Sequence, residues 1–312
     1  SLTTYRMFFS IVGSLIAFTV PIMIIGSMNP ENSPRVFLMG LIFAVVSALP
    51  LFVVFFSCRE RNVFMAQEPQ KLRDSFRAAL KNRPFIFGAV IFLLTWVSID
   101  ILQVGLLYYI KYIVQLEEQS DLLMAAIFVT AIFALPVWNW ISRRWNKRAA
   151  YVAGIAFWAL VQLVLISLNP ATSLVFVLIL CFLAGIGVGA AHVLPWSILP
   201  DAVEWDEWQT GKRHEGMFYS LVTLFQKIAS SIAVPLTLIV LEVTGYIPNS
   251  AQQPVSALTG IRLILGPIPA ALLIIGIVFA ILYPLDRDQF RQVVKDLEMR
   301  RAAKQTSASG ED

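Results

Sequence analysis

Eight long apolar stretches dominate this sequence and limit what it can fold into. They lie near residues 7–26, 35–57, 85–110, 121–141, 149–168, 172–196, 216–243 and 261–284. Each is about as long as the ~20 helical residues that cross a hydrocarbon core of ~30 Å. Barrel strands would instead alternate polar and apolar residues over about ten positions. Because only helices and closed barrels satisfy the backbone in lipid, the sequence predicts an all-α membrane protein with eight transmembrane helices.

Composition narrows the possible functions. Hydrophobic residues make up 58% of the chain and charged residues only 14%, against roughly 25% charged residues in an ordinary soluble domain. This balance excludes a disordered chain and a nucleic-acid-binding module. Two cysteines and two histidines are too few for a disulfide framework or a Cys-x-x-Cys metal site. No nucleophile elbow or phosphate-binding loop occurs, so we expect no enzyme, no metal and no bound cofactor.

The basic residues predict the orientation in the membrane. Nineteen of the 24 lysines and arginines lie in four segments, at 58–84, 143–148, 212–213 and 287–304. With eight crossings, all four segments fall on the same side of the membrane. The positive-inside rule makes that side cytoplasmic, so both ends of the chain are expected in the cytoplasm.

The segment 58–84 is the only long charged interruption. Its residues Leu72, Phe76 and Leu80 recur at helical spacing among charges, which predicts an amphipathic helix on the cytoplasmic face. Two crossings precede it and six follow, and many transporters join two six-helix halves through such a loop. The predicted parts are two helices of a first half (1–57), a linker (58–84), a complete six-helix half (85–284) and a cytoplasmic tail that frays into solvent (285–312).

Two charges fall inside apolar stretches, where each costs roughly 2.5–3.5 kcal/mol on insertion scales and needs a reason. Lys227 shares one helical stripe with Ser220, Thr223 and Ser230 or Ser231. That stripe either lines a solute pathway or holds a structural lysine against a neighbouring helix. Asp100, with Gln103 one turn later, either lines a cavity or is a buried carboxylate bonded to a packed neighbour.

A second candidate face lies in the stretch 172–196. Gly185 and Gly189 permit close helix approach, and His192 and Trp196 follow on the same face. A tryptophan beside a polar group is a common platform for a sugar ring, although a histidine in the core is almost as good an interpretation. Arg6 lies at the cytoplasmic mouth of the first stretch, where an arginine is usually an anchor.

Several segments carry a family resemblance. Residues 195–204 (PWSILPDAVE) and 210–216 (TGKRHEG) resemble the loop between helices ten and eleven of the glycoside–pentoside–hexuronide:cation symporters. This family includes the melibiose permeases and belongs to the major facilitator superfamily. Residues 245–249 (GYIPN), 108–109 (YY) and 5–9 (YRMFF) are similar to further parts of the family pattern. The resemblance runs in order from the fifth to the twelfth helix of a twelve-helix carrier, so the first four helices are expected to be absent.

The resemblance also implies functional residues. Arg6 falls on the sugar-site arginine of helix five, and Lys227 and Thr223 fall on the lysine and threonine of helix eleven. His192 stands where melibiose permeases have a tryptophan, and Asp100 where they have an asparagine, so the sugar stays undefined. A closing cytoplasmic gate is expected from charged residues, namely Asp201, Glu204, Arg213 and Glu215.

The resemblance implies symport of a small sugar, glycoside or uronide by alternating access, coupled to sodium or protons. The coupling-ion site belongs to helices two and four, outside this sequence. One alternative keeps the fold and carries an amphiphile such as a lysolipid, and another is a non-transporting membrane scaffold. The expected partners are the solute and the lipid bilayer, without nucleic acid and with the oligomeric state open. The expected location is a bacterial inner membrane.

Overall fold

The described part of the protein is a bundle of helices. A computed structural model describes residues 2–25, 32–58, 72–211, 214–248, 250 and 252–308. Its helices are α1 (Leu2–Ile25), α2 (Ser33–Ser57), α3 (Leu72–Lys81), α4 (Arg83–Tyr109), α5 (Ser120–Arg144), α6 (Lys147–Leu165), α7 (Leu174–Thr210), α8 (Glu215–Val243), α9 (Val255–Leu265), α10 (Pro267–Ile281) and α11 (Arg287–Ala308). A π-helical turn, Ile110–Val114, extends α4, and the short 3-10 turn Glu117–Gln119 precedes α5.

The predicted membrane architecture is confirmed. Within the described residues, seven helical segments are long and apolar enough to cross a bilayer, counting α9 and α10 as one. They coincide with seven of the eight predicted stretches. Residues 7–25 of the first predicted stretch, 7–26, lie in α1, whose apolar part among the described residues is Phe8–Ala17. The predicted linker, 58–84, is only partly described. Residues 59–71 lie outside the described residues, and α3 forms most of the remaining part.

Side-chain caps fix where several helices begin. The Asn82 side chain accepts a hydrogen bond from the Phe85 amide at 2.9 Å, and Pro84 occupies the first turn of α4. Asn146 accepts from the Ala149 amide at 2.5 Å at the start of α6. Such caps satisfy amide groups that have no partner inside the helix. The Asn82 amide group also donates to the Ala202 carbonyl at 2.9 Å, which ties the start of α4 to α7.

Helix α7 is the centre of the bundle. It packs against α5 on one side and α6 on the other, while α4 packs against α7, α8 and α10. Glycines allow this approach: a Cβ at Gly185 would lie 2.5 Å from the Ile127 carbonyl oxygen, and one at Gly189 would lie 2.8 Å from Ala134. By contrast, α2 has no buried residue and contacts α1.

The prediction of a loop after residue 196 is wrong. Helix α7 continues through Pro195 and Pro200 to Thr210, and ends where Gly211 takes the left-handed conformation at φ +69°. Prolines are tolerated in such helices because neighbouring groups satisfy the freed backbone. The charged part of the family-like segment is therefore displayed on a rigid helix end.

Two further boundaries differ from the prediction. The last crossing begins at Val255 rather than 261, and it breaks at Gly266, because Pro267 cannot donate a helical hydrogen bond. The predicted fraying tail contains α11, Arg287–Ala308. Helix α11 packs against α7, because charged side chains on both helices pair, as described below.

The close contact of α6 and α7 at Gly187 gives a first prediction. A Cβ there would overlap the fully buried Trp158 side chain, so Gly187→Ala should destabilise the protein by about 1–3 kcal/mol. Gly40→Ala in α2 is the matched control, since nothing lies within 4 Å of its Cβ position. Thermal unfolding in detergent measures both. Equal unfolding midpoints for the two variants would contradict the tight α6–α7 contact.

Candidate functional site

The two charged residues that fall inside apolar stretches, Asp100 and Lys227, lie on α4 and α8, which pack against each other. Asp100 on α4 is partly buried, and Ser230 on α8 donates a hydrogen bond to its Oδ2 at 2.6 Å. Lys227, one turn before Ser230, is close enough to attract the Asp100 carboxylate electrostatically. The Lys227 side chain itself is exposed at the surface of the described residues. The site is therefore a carboxylate held between two helices by a hydroxyl group, with the Lys227 ammonium one turn away along α8.

The rest of the polar stripe on α8 is bonded to its own helix. Hydroxyl groups donate to carbonyls four residues earlier: Ser220 to Gly216 at 2.8 Å, Thr223 to Tyr219 at 2.9 Å and Ser231 to Lys227 at 2.8 Å. Exposed apolar side chains, Leu224 and Ile228, flank this stripe. The face around Lys227 therefore combines one cation with apolar surface. Its hydroxyl groups already donate their protons to backbone carbonyls of α8.

An aromatic cluster joins α4 to α7 beside this site. The Phe92 ring lies 5.0 Å from that of Trp196 and 5.6 Å from that of Trp96, and the Trp96 ring lies 5.3 Å from the His192 ring. His192 Nδ1 lies 2.9 Å from the Val188 carbonyl oxygen. His192 and Trp196 are 6% and 3% exposed, so both pack in the helix interface. Their predicted roles in substrate binding stay predictions.

The other predicted binding residues are less defined. Gln103 is partly exposed and lines a narrow gap against α5. Arg6 belongs to α1, but its side chain lies outside the described residues, as does the whole of Arg213. Both stay predictions.

Opposite charges pair at the basic end of the bundle, where the gate was predicted. Asp201 is buried and accepts a hydrogen bond from the Lys147 ammonium. Asp206 Oδ2 lies 2.5 Å from His214 Nδ1. Glu204 is close enough to interact electrostatically with Asp201, and Glu215 opens α8. The charges at this end hold α6, α7 and the start of α8 together.

A bidentate pair attaches α11 to the same end. Arg301 donates to both carboxylate oxygens of Glu207, at 3.1 and 2.6 Å. The hydrogen bond to the Glu207 carboxylate raises the pKa of the Arg301 guanidinium, so the guanidinium stays charged at physiological pH. Arg300 also donates to the Trp208 carbonyl at 3.0 Å.

Sequence reasoning missed Lys147, His214 and Arg301 as partners in this network. Lys147 and Arg301 lie in segments that were taken only as evidence of orientation, and His214 lies in the family-like segment 210–216, where no role was predicted for it. The excess of acidic residues at 201–207 was the available signal, because buried carboxylates need cationic partners.

The Lys147–Asp201 pair gives a second prediction. Lys147→Met leaves the Asp201 carboxylate, which is 7% exposed, without its cation, and should destabilise the protein by about 1–3 kcal/mol. Lys111→Met is the control: its Nζ lies 2.7 Å from Glu117, and the two side chains are 45% and 64% exposed. That exposed pair should contribute under about 1 kcal/mol. Unfolding midpoints in detergent compare them, and equal losses would refute a special role for Lys147.

Comparison with known proteins places the chain in a transporter family. Residues 1–287 match the family described as MFS/sugar transport protein. An uncharacterized symporter from Synechocystis sp. is 32% identical over 235 residues, covering 73% of this chain and 43% of that protein. The family is one of transporters, which confirms the prediction that the chain is not an enzyme.

Two similar proteins have names that specify a lipid. The sodium-dependent lysophosphatidylcholine symporter 1-A of Danio rerio is 29% identical over 83% of this chain and 49% of its own length. A sphingosine-1-phosphate transporter of Xenopus tropicalis is 25% identical over 79% of this chain and 48% of its own length. The chain thus spans about half the length of these relatives. The resemblance to sugar symporters is confirmed at the level of the superfamily, while the melibiose-permease likeness stays a prediction. The chain is an integral membrane protein of the MFS/sugar transport protein family, within the major facilitator superfamily.

Proposed function

We propose that this chain forms part of a cation-coupled carrier for an amphiphile with an anionic head group, such as a lysophospholipid. The observation that carries the proposal is the exposed Lys227 ammonium on a helix face whose neighbours, Leu224 and Ile228, are exposed and apolar. A phosphate group pairs with an ammonium through charge-assisted hydrogen bonds. An acyl chain lies against the apolar part of the same face, where it adds hydrophobic contact.

The hydroxyl groups on this face favour an amphiphile over a neutral sugar. A sugar needs many donors and acceptors around its ring, whereas Ser220, Thr223 and Ser231 already donate their protons to the backbone of α8. An anionic head group needs chiefly a cation. The relatives named for lysophosphatidylcholine and sphingosine-1-phosphate support this choice.

Asp100 gives the site two arrangements. Without solute, the carboxylate attracts Lys227 and accepts the Ser230 hydroxyl. An arriving phosphate competes with Asp100 for the ammonium and so alters the contact between α4 and α8. A ligand that changes a helix contact in this way shifts the balance between two conformations of the carrier, which alternating access requires.

A sugar acid is the second candidate. The matched family is described by sugar transport, and the carboxylate of a uronide would pair with Lys227 as a phosphate does. A non-transporting scaffold is the third candidate, and it requires Lys227 to be sealed from solvent in the complete gene product. Coupling to sodium is favoured over protons by the names of the sodium-dependent lysophosphatidylcholine relatives.

The orientation belongs to the same proposal. The ends of α5, α7 and α8 that carry the basic and paired residues face the cytoplasm under the positive-inside rule. Both ends of this chain then lie in the cytoplasm, and a bacterial inner membrane is the location that we propose.

Uptake of labelled solutes into cells that express the complete gene product tests the proposal. An inward sodium gradient should speed the uptake of lysophosphatidylcholine. Lys227→Met should reduce that uptake by about tenfold or more, since a charge-assisted hydrogen bond contributes about 1.5–3 kcal/mol. Lys295→Met removes an exposed lysine of α11 and should leave uptake unchanged.

The same assay separates the candidates. Gradient-driven uptake of a glycoside or uronide without uptake of the lysolipid would overturn the amphiphile and favour the sugar acid. Equal loss of lysolipid uptake in Lys227→Met and Lys295→Met would refute the assigned role of Lys227.

A further inference from the structure

A large cavity lies at the basic end of the bundle, apart from Asp100 and Lys227. Its volume is about 710 Å³, and it is bounded by the adjoining ends of α5, α6, α7 and α10 and by the start of α11. Neither Asp100 nor Lys227 lines it. This volume falls within the range of small-molecule sites.

The charges around this cavity favour an anion. Arg143, Lys147, Arg148 and Arg291 line it, against two acidic residues, Asp201 and Asp286. Both carboxylates are already engaged. Asp201 pairs with Lys147, and the Asp286 Oδ1 atom caps α11 by accepting the amides at positions 288 and 289, at 2.9 and 2.8 Å. Arg143 and Arg148 have no ion-pair partner within the part of the chain that the structure covers.

The remaining wall is apolar and reaches the outer surface of the bundle. Ile198 and Phe290 contribute buried or partly buried apolar surface. Ile281 and Trp145 also line the cavity, and they are 49% and 58% exposed. An exposed tryptophan next to an apolar helix surface is typical of the membrane–water interface. The cavity therefore opens where lipid head groups lie.

We propose that this cavity binds the phosphate of an anionic phospholipid from the leaflet at the basic end of the bundle. Arg143 and Arg148, which line the cavity, pair with the phosphate. The acyl chains leave past Ile281 along the apolar outside of α10. Basic pockets between membrane helices are suited to anionic head groups, and this site is distinct from the one proposed for transport.

Lys147 connects this cavity to the paired charges of α7. Its ammonium bonds Asp201 and lies 5.3 Å from the centre of the Phe290 ring, and both residues line the cavity. A bound phosphate offers Lys147 a second anionic partner. The lipid consequently acts on the contact between α6 and the end of α7.

Native mass spectrometry of the purified protein, released from nanodiscs that contain phosphatidylglycerol and phosphatidylcholine, tests this site. The wild-type protein should retain phosphatidylglycerol in preference to phosphatidylcholine. The variant Arg143→Gln/Arg148→Gln should bind phosphatidylglycerol about tenfold more weakly, because two charge-assisted contacts are lost. The variant Arg77→Gln/Arg144→Gln is the control, since it removes two exposed arginines that do not line the cavity.

A competitor completes the design. Inorganic phosphate should fail to displace the lipid. Equal retention in all variants would overturn the site, and displacement by inorganic phosphate would overturn the lipid in favour of a free anion.

Discussion

Polar groups in these helices are stabilised by partners within the protein, because hydrocarbon offers them none. Hydroxyl groups meet this requirement locally, as Thr223 does by donating to the backbone of α8. Others bridge helices: the Thr95 hydroxyl on α4 lies 2.8 Å from the Tyr151 hydroxyl on α6. Asp100 is the demanding case, since a carboxylate needs a donor and a cation, and α8 supplies Ser230 and Lys227 together. The packing of α4 on α8 is thus tied to the functional site.

Helix α7 places the other parts around that site. Its glycines admit α5 and α6, as Gly185 and Gly187 show, while His192 faces the aromatic cluster on α4. Its charged end carries Asp201 and Glu207 to their partners on α6 and α11. One continuous helix therefore links the middle of the bundle to its basic end, so that a change in either place has a direct route to the other.

Much of this could be predicted from the sequence, because span length and charge placement are local properties. The predicted stretch 216–243 begins one residue later than α8 and ends at the same residue. Ser230 was placed on the Lys227 stripe, but its bond to Asp100 joins residues 130 positions apart, and no local pattern contains that distance. The Lys147–Asp201 pair was missed for the same reason. The course of α7 beyond Pro200 was missed because prolines predict a break in water, whereas packed neighbours tolerate them in a membrane protein.

The account depends on Lys227 facing water inside the membrane. Reaction of Lys227→Cys with a membrane-impermeant thiol reagent, in a Cys58→Ser/Cys181→Ser background that removes the two cysteines of this sequence, measures this directly. Leu160→Cys, on the exposed apolar surface of α6, is the lipid-facing reference. The account predicts rapid modification at position 227 that is slowed by the transported amphiphile, and little at position 160. Position 227 reacting as slowly as position 160 would contradict it.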